Sequence, residues 1–545
     1  MDARRPQALE AGLFLLVVAL PIAFFPLSRE AFLDVKVVVL TGGTLLLWAS
    51  GLPYDRRVGV PALAWACTLV VAAIVGVDPL ESLVGTVRAT GLVMLLCSLA
   101  IVAVAPNVPD DLVERMRGWI VTTGLVVAAV ILLARIAPAV LEPLAPRLAF
   151  SGATFGNPVH AIGFLAACVP AVLAGPERRA RAIATFGLLG VGLAVAEERS
   201  AVLLPVVALL ASAWFLRPGW RRIAGAAAVI GVALALWSVV PSSLVSGGPS
   251  ESATALGQFQ TLRGERQRLA LYEANLRAIA DRPVLGWGPA NTWTGFLSSG
   301  TADEVEQAGR NWADAHNLVL EVTVVSGLVG LAAFGWLAIR VSRRALRPAT
   351  SRRWLVASAV TLLAYAALQP LDVVLTPLLF LFAGAAAGGR AVGEAPEKAP
   401  DPRRQLVPRT AAVIGLSAAT TLAGVNLLGS ALEEWGRTHA ESNWALRAAT
   451  AVAPWRLTAT EALAMSLAID GRAGDPDAAI EARAVVGGTV DRHPWNPGVR
   501  LLAADVELLL RNPAASQDWI RDQLERFPSD QLSDSVDAAG LDLSD

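Results

Sequence analysis

The sequence predicts an all-α membrane protein, and two observations support that fold class. The 545-residue chain is 54% hydrophobic and only 17% charged, with a mean hydropathy of +0.54. Soluble domains are about one-quarter charged, whereas apolar runs of about 20 residues cross a bilayer as helices. Such runs recur along the chain between short polar connections. We therefore predict a polytopic transmembrane helical bundle of about 12–13 spans, with a long external loop and a C-terminal soluble helical-repeat domain.

About thirteen stretches have roughly the length needed to cross a membrane. They lie near residues 8–28, 32–50, 59–77, 90–106, 118–136, 160–175, 181–197, 200–216, 223–241, 316–340, 354–370, 372–389 and 411–430. The first stretch runs through Phe24-Phe25-Pro26 without a small-residue cleavage site. It is therefore predicted to be an uncleaved span and not a signal peptide.

The distribution of basic residues predicts the orientation of the spans. With a cytoplasmic N-terminus, the inside loops carry clusters such as Arg221 and Arg222, whereas each short outside connection carries a single arginine, such as Arg29. Basic loops stay on the cytoplasmic side of a membrane. The Ala-, Arg- and Gly-rich composition favours a bacterial source. We expect a multi-pass protein of the bacterial inner membrane whose C-terminal domain is external, or periplasmic.

These features divide the chain into four predicted parts. Residues 1–390 form the polytopic membrane domain, which includes the external loop 241–315. Residues 391–410 form a proline-rich cytoplasmic linker, residues 411–430 the last transmembrane helix, and residues 431–545 an external helical-repeat domain.

The repeat prediction depends on two similar segments in the C-terminal part. AVAPWR contains Pro454-Trp455, and DRHPWN contains Pro494-Trp495, 40 residues later. This spacing, with proline opening a helix after a turn, is typical of helix-hairpin repeats of tetratricopeptide type. We expect the repeats to bind a partner protein or to position a growing glycan.

Several classes of site are not indicated by the sequence. Cys67, Cys97 and Cys168 each lie in an apolar segment without CxxC or Cys/His spacing, so neither a metal site nor a disulfide is expected. No DxD pair, phosphate loop or nucleotide-binding fingerprint is found, so no cofactor is expected. The net charge of −1 gives no indication of a nucleic-acid partner.

The long external loop is the region best suited to chemistry on a charged, lipid-linked substrate. Its arginines are Arg263, Arg266, Arg268, Arg277, Arg282 and Arg310. It ends in DAHN, where His316 stands at the start of a span and can accept a proton near neutral pH. A histidine that caps a helix is the structural alternative. Asp314 and Glu321 are both candidates to orient His316, and the spacing does not decide between them.

Two arginines are candidates for binding phosphate groups. Arg268 lies four residues before Tyr272 on a predicted amphipathic helix whose apolar face contains Leu269, Tyr272, Leu276 and Ile279. A guanidinium donates two parallel hydrogen bonds to phosphate oxygens and stays charged. The alternative is a helix lying on anionic lipid headgroups. Arg199, after Glu197-Glu198 at the start of a span, is either functional or in a salt bridge to one of those glutamates.

The order of these motifs resembles the O-antigen ligase/polymerase family of bacterial membrane glycosyltransferases. The matching segments are FGNPVHAIGFLAACVP (155–170), ERSAVLLP (198–205), RLALYEANLRAIADRPVLGWGP (268–289) and AHNLVLEVTVVSGLVGLAAFGW (315–336). The chain departs from the family pattern at Glu198, where a small residue is usual, and at Tyr272, where tryptophan is commoner. The resemblance covers roughly residues 150–340 and implies a bundle of the GT-C-like type.

The resemblance implies transfer of a glycan from an undecaprenyl-diphosphate carrier to a lipid or glycan acceptor outside the inner membrane, without a metal ion. Arg199 and Arg268 would then hold the diphosphate, with Arg266 as a competitor for Arg268, and His316 would be the base or the group that orients the acceptor. Tyr272, Asp314 and Asn317 are the expected substrate-binding neighbours.

Alternative functions are weighed against this one. A protein O-oligosaccharyltransferase would use the same chemistry with a serine or threonine acceptor. A transporter or flippase of lipid-linked glycans should carry charges in mid-span and show related halves, whereas these spans are nearly charge-free by sequence. If the C-terminal repeats were the whole function, about thirteen helices would be far more than an anchor needs.

Overall fold

The computed structural model describes residues 4–85, 89–141, 152–176, 179–196, 200–238, 263–301, 303–305, 314–369, 372–388, 402–439 and 443–526. Within these ranges the protein is all-α, without a β-strand. The predicted fold class is therefore confirmed: the chain is a polytopic helical protein. The predicted segments 241–262, 391–401 and 527–545 lie outside the described residues.

Helices occupy all the stretches that were predicted as spans. In chain order they are α1 (Arg4–Phe14, continued by a π-helical turn over Leu15–Ala19 and by Leu20–Ile22), α2 (Asp34–Ala49), α3 (Arg56–Val75), α4 (Pro79–Val84, a short connecting helix), α5 (Leu92–Val104), α6 (Asp110–Ile136), α7 (Pro158–Ala174), α8 (Arg179–Val195), α9 (Ser200–Phe215), α10 (Trp220–Ser238), α11 (Arg263–Asp281) and α12 (Thr292–Ser299) in the long loop, α13 (Leu318–Ala345), α14 (Arg353–Ala366), α15 (Leu375–Ala386) and α16 (Pro402–Thr438).

Fewer helices than predicted meet the length and composition of a membrane span by themselves. Among the described residues these are Arg5–Ile22, Arg56–Val75, Asp110–Ile136, Trp220–Trp237, Leu318–Ala345 and Pro408–Thr438, six in all. Helix α15, for example, has 12 residues, which gives about 18 Å against a hydrocarbon core of about 30 Å. Hydropathy locates apolar segments, but it does not show where the helix inside each segment ends.

The bundle is organised around α7. Every residue from His160 to Leu173 is buried, and α9 and α14 pack against this helix. Helix α13 packs along α3, and α16 packs along α2. Helix α16 begins at Pro402, so part of the predicted linker is already helical, and it continues past the predicted end of the last span at residue 430.

Lys36 of α2, a residue that the sequence analysis did not single out, is buried inside the bundle. The ammonium group of Lys36 in α2 donates to the carbonyl oxygens of Ala23 and Phe32, each at 2.9 Å, and to that of Thr154. An ammonium has three N–H donors, and all three are used here. Lys36 therefore joins α2 to the segments before α2 and before α7.

The C-terminal part consists of α17 (Asn443–Val452), α18 (Leu457–Arg472), α19 (Pro476–Arg492), α20 (Pro497–Leu509) and α21 (Pro513–Arg526). Neighbouring helices pair in sequence: α17 packs against α16, α18 against α19, and α20 against α21. Pro454-Trp455 lies in the turn between α17 and α18, and Pro494-Trp495 in the turn between α19 and α20. The two similar segments thus have the same local structure, while the tetratricopeptide type stays a prediction.

The first of these turns joins the C-terminal helices to the membrane helices. Arg456 is 6% exposed, and its guanidinium lies 3.2 Å from Asp34 Oδ1 and 3.1 Å from Glu433 Oε2. It also donates to Ser430 Oγ at 3.0 Å. Asn426 of α16 donates to the same Asp34 oxygen at 2.8 Å. We call these residues (Asp34, Asn426, Ser430, Glu433 and Arg456) the Arg456 cluster.

Candidate functional site

His316 is held just before α13 in a conformation that few residues adopt. Its φ angle is +48°, in the left-handed region, which costs a residue other than glycine about 1–3 kcal/mol and persists only where the surroundings impose it. The backbone N–H of His316 donates to Asp314 Oδ1 at 2.9 Å. Asn317 then begins α13 as its N-cap, its side-chain oxygen accepting from Val319 and Leu320. The fixed backbone sets the direction of the imidazole.

The same aspartate orients the imidazole ring. His316 Nδ1 lies 2.9 Å from Asp314 Oδ1, and both side chains are buried, with 11% and 2% exposed. The backbone carbonyl oxygen of Asp314 also lies 3.2 Å from Nδ1. A carbonyl oxygen only accepts hydrogen bonds, so Nδ1 carries the proton and Nε2 is left as an acceptor. The structure thus selects Asp314 over Glu321 as the orienting residue, a choice that the sequence left open.

Glu321 fixes the backbone in front of the histidine instead. Its Oε2 accepts from the backbone N–H of Ala315 at 2.8 Å, and its Oε1 accepts from the hydroxyl of Thr292 at 2.8 Å. Glu321 is 5% exposed, in the first turn of α13. Through these bonds the buried carboxylate connects α12, α13 and the peptide that precedes His316.

Helix α13 is interrupted at Gly327, and the segment 283–291 packs against the interruption. Gly327 has φ +64° inside the helix. The freed carbonyl of Val324 accepts from Trp287 N–H at 2.8 Å, and the N–H of Leu328 donates to Pro283 O at 2.8 Å. In hydrocarbon, interrupted helical backbone is tolerated only where other parts of the protein satisfy its polar groups. The segment 283–291, which we call the Trp287 turn, supplies these partners.

Two glycines are required for this contact. A Cβ atom on Gly286 would lie 2.3 Å from Val324 O, and one on Gly327 would lie 2.2 Å from Val284 O. Both residues also have positive φ angles, which only glycine adopts without strain. The close approach of the Trp287 turn to α13 therefore requires glycine on both sides of the contact.

Trp287 connects this turn to the arginine-bearing helix α11. Its indole N–H donates to the carbonyl oxygen of Ala278 at 2.8 Å, and the Arg282 guanidinium lies 4.7 Å from the ring centre. Trp287 is 5% exposed and packs with Ala278 and Val324. Helices α11 and α13 are thus held in register by one buried aromatic side chain.

The predicted amphipathic helix is present as α11. On its apolar face, Leu269 and Leu276 are 60% and 56% exposed, whereas Leu271, Ala274 and Ala278 are buried. The small residues of α11 allow close packing against Phe296 and Trp287. Helix α11 therefore packs against the protein mainly through alanines, and its two exposed leucines lie on the other side.

Tyr272 brings α11 to the histidine. Its hydroxyl donates to the carbonyl oxygen of His316 at 3.5 Å. Arg268 lies one turn earlier on α11, and residues four apart on a helix are neighbours on its surface. Arg268 is partly exposed and makes no hydrogen bond or ion pair with any residue that the structure describes. Arg277, by contrast, is paired with Glu304 at 2.5 Å.

The remaining predicted site residues, Arg199, Arg266 and Asn317, are described by the structure to different extents. Arg199 lies outside the described residues, and for Arg266 only the helical backbone is described. The Asn317 side chain is held at both ends, because its oxygen caps α13 and its nitrogen donates to Ala367 O at 3.0 Å. This geometry favours a positioning role for Asn317 over the predicted contact with substrate.

Thr292 of α12 and several residues of α3, α5 and α15 lie close to the site, although the sequence did not identify them. Thr292 carries no motif that would have identified it, since its partner Glu321 is distant in sequence. A narrow apolar cavity lies beside the first turns of α13, lined by Trp65, Thr90, Leu95, Leu318, Glu321, Val322, Val325, Thr376 and Phe380. Its walls come from α3, α5, α13 and α15, which only the fold brings together.

Comparison with known protein families gives one match, to the O-antigen ligase family over residues 184–335. Comparison with curated proteins finds no match. The matched segment runs from α8 to the middle of α13, so it contains His316, its orienting Asp314, Arg268 and the Trp287 turn. Members of this family are glycosyltransferase-like membrane enzymes that act on lipid-linked glycans and acceptors. Residues 184–335 of the chain are thus similar to the O-antigen ligase family.

Proposed function

We propose that this protein transfers a glycan from an undecaprenyl-diphosphate carrier to an acceptor hydroxyl at the outer side of the bacterial inner membrane, as a polysaccharide ligase or polymerase. The proposal is supported above all by one observation. An arginine without a protein partner among the described residues, Arg268, lies one turn from Tyr272, whose hydroxyl contacts His316. A cation and an oriented imidazole on neighbouring elements suit a substrate with a phosphate group next to its reacting carbon.

In the proposed reaction the diphosphate is the leaving group. The bond between the anomeric carbon and the phosphate oxygen breaks, and the electron pair stays on the diphosphate. The guanidinium of Arg268 donates to the phosphate oxygens as this charge develops, which stabilises the transition state more than the ground state. Arg199 and Arg266 are proposed to share this role. Guanidinium groups provide the positive charge in this scheme, so it assigns no step to a metal ion.

His316 is proposed to act on the acceptor. Because Asp314 holds the proton on Nδ1, Nε2 can accept the proton of the acceptor hydroxyl as its oxygen attacks the anomeric carbon. Attack from the face opposite the diphosphate inverts the configuration at that carbon. The buried Asp314 carboxylate stabilises the imidazolium that results.

The proposal can be tested with purified protein in lipid nanodiscs and a radiolabelled undecaprenyl-diphosphate glycan. We expect label to move from the carrier to a lipid or glycan acceptor, with release of undecaprenyl diphosphate. Label on a serine or threonine of an added protein would instead identify a protein O-oligosaccharyltransferase. If the label stays on the carrier with every acceptor, or crosses the membrane unchanged, the transferase proposal is wrong.

A further inference from the structure

The second Pro-Trp turn of the C-terminal helices reaches the candidate site. His493, at the end of α19, is fully buried, and its Nδ1 lies 2.5 Å from Asp78 Oδ2, which is also buried. Asp78 precedes α4 in the connection between α3 and α5. The contact joins residues 415 apart in the chain, and it is a second attachment of the C-terminal helices besides the Arg456 cluster.

Asp78 is also part of the support of the Trp287 turn. Its carbonyl oxygen accepts from the Asn291 side chain at 3.2 Å, and the same amide donates to Ser82 Oγ at 2.8 Å. The neighbouring Val77 N–H donates to Trp287 O at 3.2 Å. The Trp287 turn is therefore held between the Asp78 segment on one side and the break in α13 on the other.

A continuous series of bonds thus runs from the C-terminal helices to the histidine. His493 contacts Asp78, the Asp78 segment holds the Trp287 turn, and that turn completes α13, whose first residues fix His316. The side chains of Asp78, Asn291 and His493 are buried, and hydrogen bonds between buried groups restrict the movement of the segments that they join. Displacing a catalytic group by about 1 Å can cost about 10²-fold in rate.

We propose that His493 and Asp78 are positioning residues for the transfer reaction, and that the C-terminal helical domain is a clamp that holds the Trp287 turn in place. The expected change in kcat rests on the proposed function, whereas the expected change in hydrogen exchange of segment 283–291 does not. The domain is thus part of the catalytic unit, in addition to any partner or glycan that it binds.

The test compares full-length variants in nanodiscs. Asp78→Asn and His493→Ala each break the pair, and Asp34→Asn is the matched control, because it disturbs the Arg456 cluster, which has no described bond to the Trp287 turn. We measure kcat and KM for glycan transfer, thermal unfolding, and amide hydrogen exchange in segment 283–291. A double variant, Asp78→His with His493→Asp, restores the pair with exchanged partners.

We expect Asp78→Asn and His493→Ala to lower kcat by about 10-fold to 10²-fold, with little change in KM, and to speed exchange in segment 283–291. The double variant should recover the wild-type kcat and the wild-type exchange rate of segment 283–291. Asp34→Asn should lower the unfolding temperature but leave kcat and this exchange as in the wild type.

Two results would overturn the inference. One is unchanged kcat and unchanged exchange in His493→Ala. The other is an equal loss of kcat in Asp34→Asn, which would indicate general destabilisation. If His493→Ala speeds exchange but the wild type transfers no glycan, the clamp is supported and the proposed function fails, so the two failures are distinguishable.

Discussion

Two arginines, Arg456 and Arg268, have opposite surroundings. Arg456 is buried and contacts Asp34, Glu433, Ser430 and Asn426, so all its nitrogen donors are directed at protein groups. Arg268 is partly exposed and bonds to no described residue. A buried, fully paired guanidinium joins elements of the fold, whereas a guanidinium without a protein partner is ready to bind an anion. The surroundings of each arginine, and not its residue type, indicate its role.

The largest expected effect is at His316, whose carbonyl oxygen accepts from Tyr272, one turn from Arg268 on α11. His316→Ala removes the proposed base and should reduce glycan transfer about 10²–10⁴-fold, while the protein still inserts in the membrane. The measurement is kcat in nanodiscs with the labelled undecaprenyl-diphosphate glycan. Tyr272→Phe is the control in the same contact, since it removes only a 3.5 Å bond. Full activity in His316→Ala would refute the assignment of the base.

The next effect is at Arg268 itself. Arg268→Ala should lower kcat/KM about 10²–10³-fold, because one donor to the developing charge is lost. Arg268→Lys should recover part of the activity, since lysine keeps the charge but not the paired donors. Arg447→Ala is the control, because that guanidinium is already bound to both oxygens of Glu481 at 2.7 and 2.6 Å. Equal losses of kcat/KM in Arg268→Ala and Arg447→Ala would contradict a specific role of Arg268 in the reaction.

Arg456→Ala should act on stability and not on the chemical step. Removal of the guanidinium leaves Asp34 and Glu433 buried without their cation, a loss of about 3–5 kcal/mol. Chemical unfolding of the detergent-solubilised protein measures it. Arg437, a more exposed partner of the same Glu433 at 3.2 Å, provides the control: Arg437→Ala should cost no more than about 1 kcal/mol. A similar small loss in both variants would show that the Arg456 cluster does not hold the fold.

The smallest effect concerns an acid at the edge of the Arg456 cluster. Burial, and next the neighbouring Asp34 carboxylate, raise the pKa of Glu30 above its usual value. An acid with a raised folded pKa destabilises the fold while it is ionised, and that cost disappears as the pH falls below its unfolded pKa. Glu30→Gln should therefore raise the unfolding temperature at pH 7, with a difference that shrinks towards pH 4.5. A gain that persists unchanged at acidic pH would show that ionisation of Glu30 is not its cause.

The sequence predicted the parts of this molecule that depend on local patterns. Apolar runs located the helices, two of which begin at asparagine N-caps, Asn157 before α7 and Asn317 before α13. His316, Arg268 and Tyr272 could be selected because their motifs are contiguous, and Tyr272 does contact His316.

What the sequence could not predict are contacts between distant segments. Thr292 binds Glu321, Asp78 binds His493, and Lys36 binds Thr154, and none of these pairs has a local signature. The packing of α11 through Ala270 and Ala274 against Phe296 likewise joins segments that are separate in the sequence. The choice between Asp314 and Glu321 needed the left-handed turn at His316, which no spacing rule supplies.

The most direct test of the role of Arg268 is equilibrium binding of sugar-free undecaprenyl diphosphate to the purified full-length protein in nanodiscs. Arg268→Ala, which removes a guanidinium without a partner among the described residues, is expected to weaken binding about 10-fold or more. His316→Ala and Arg447→Ala should bind like the wild type. Equal affinity of Arg268→Ala and the wild type would contradict the assignment of Arg268 to the diphosphate.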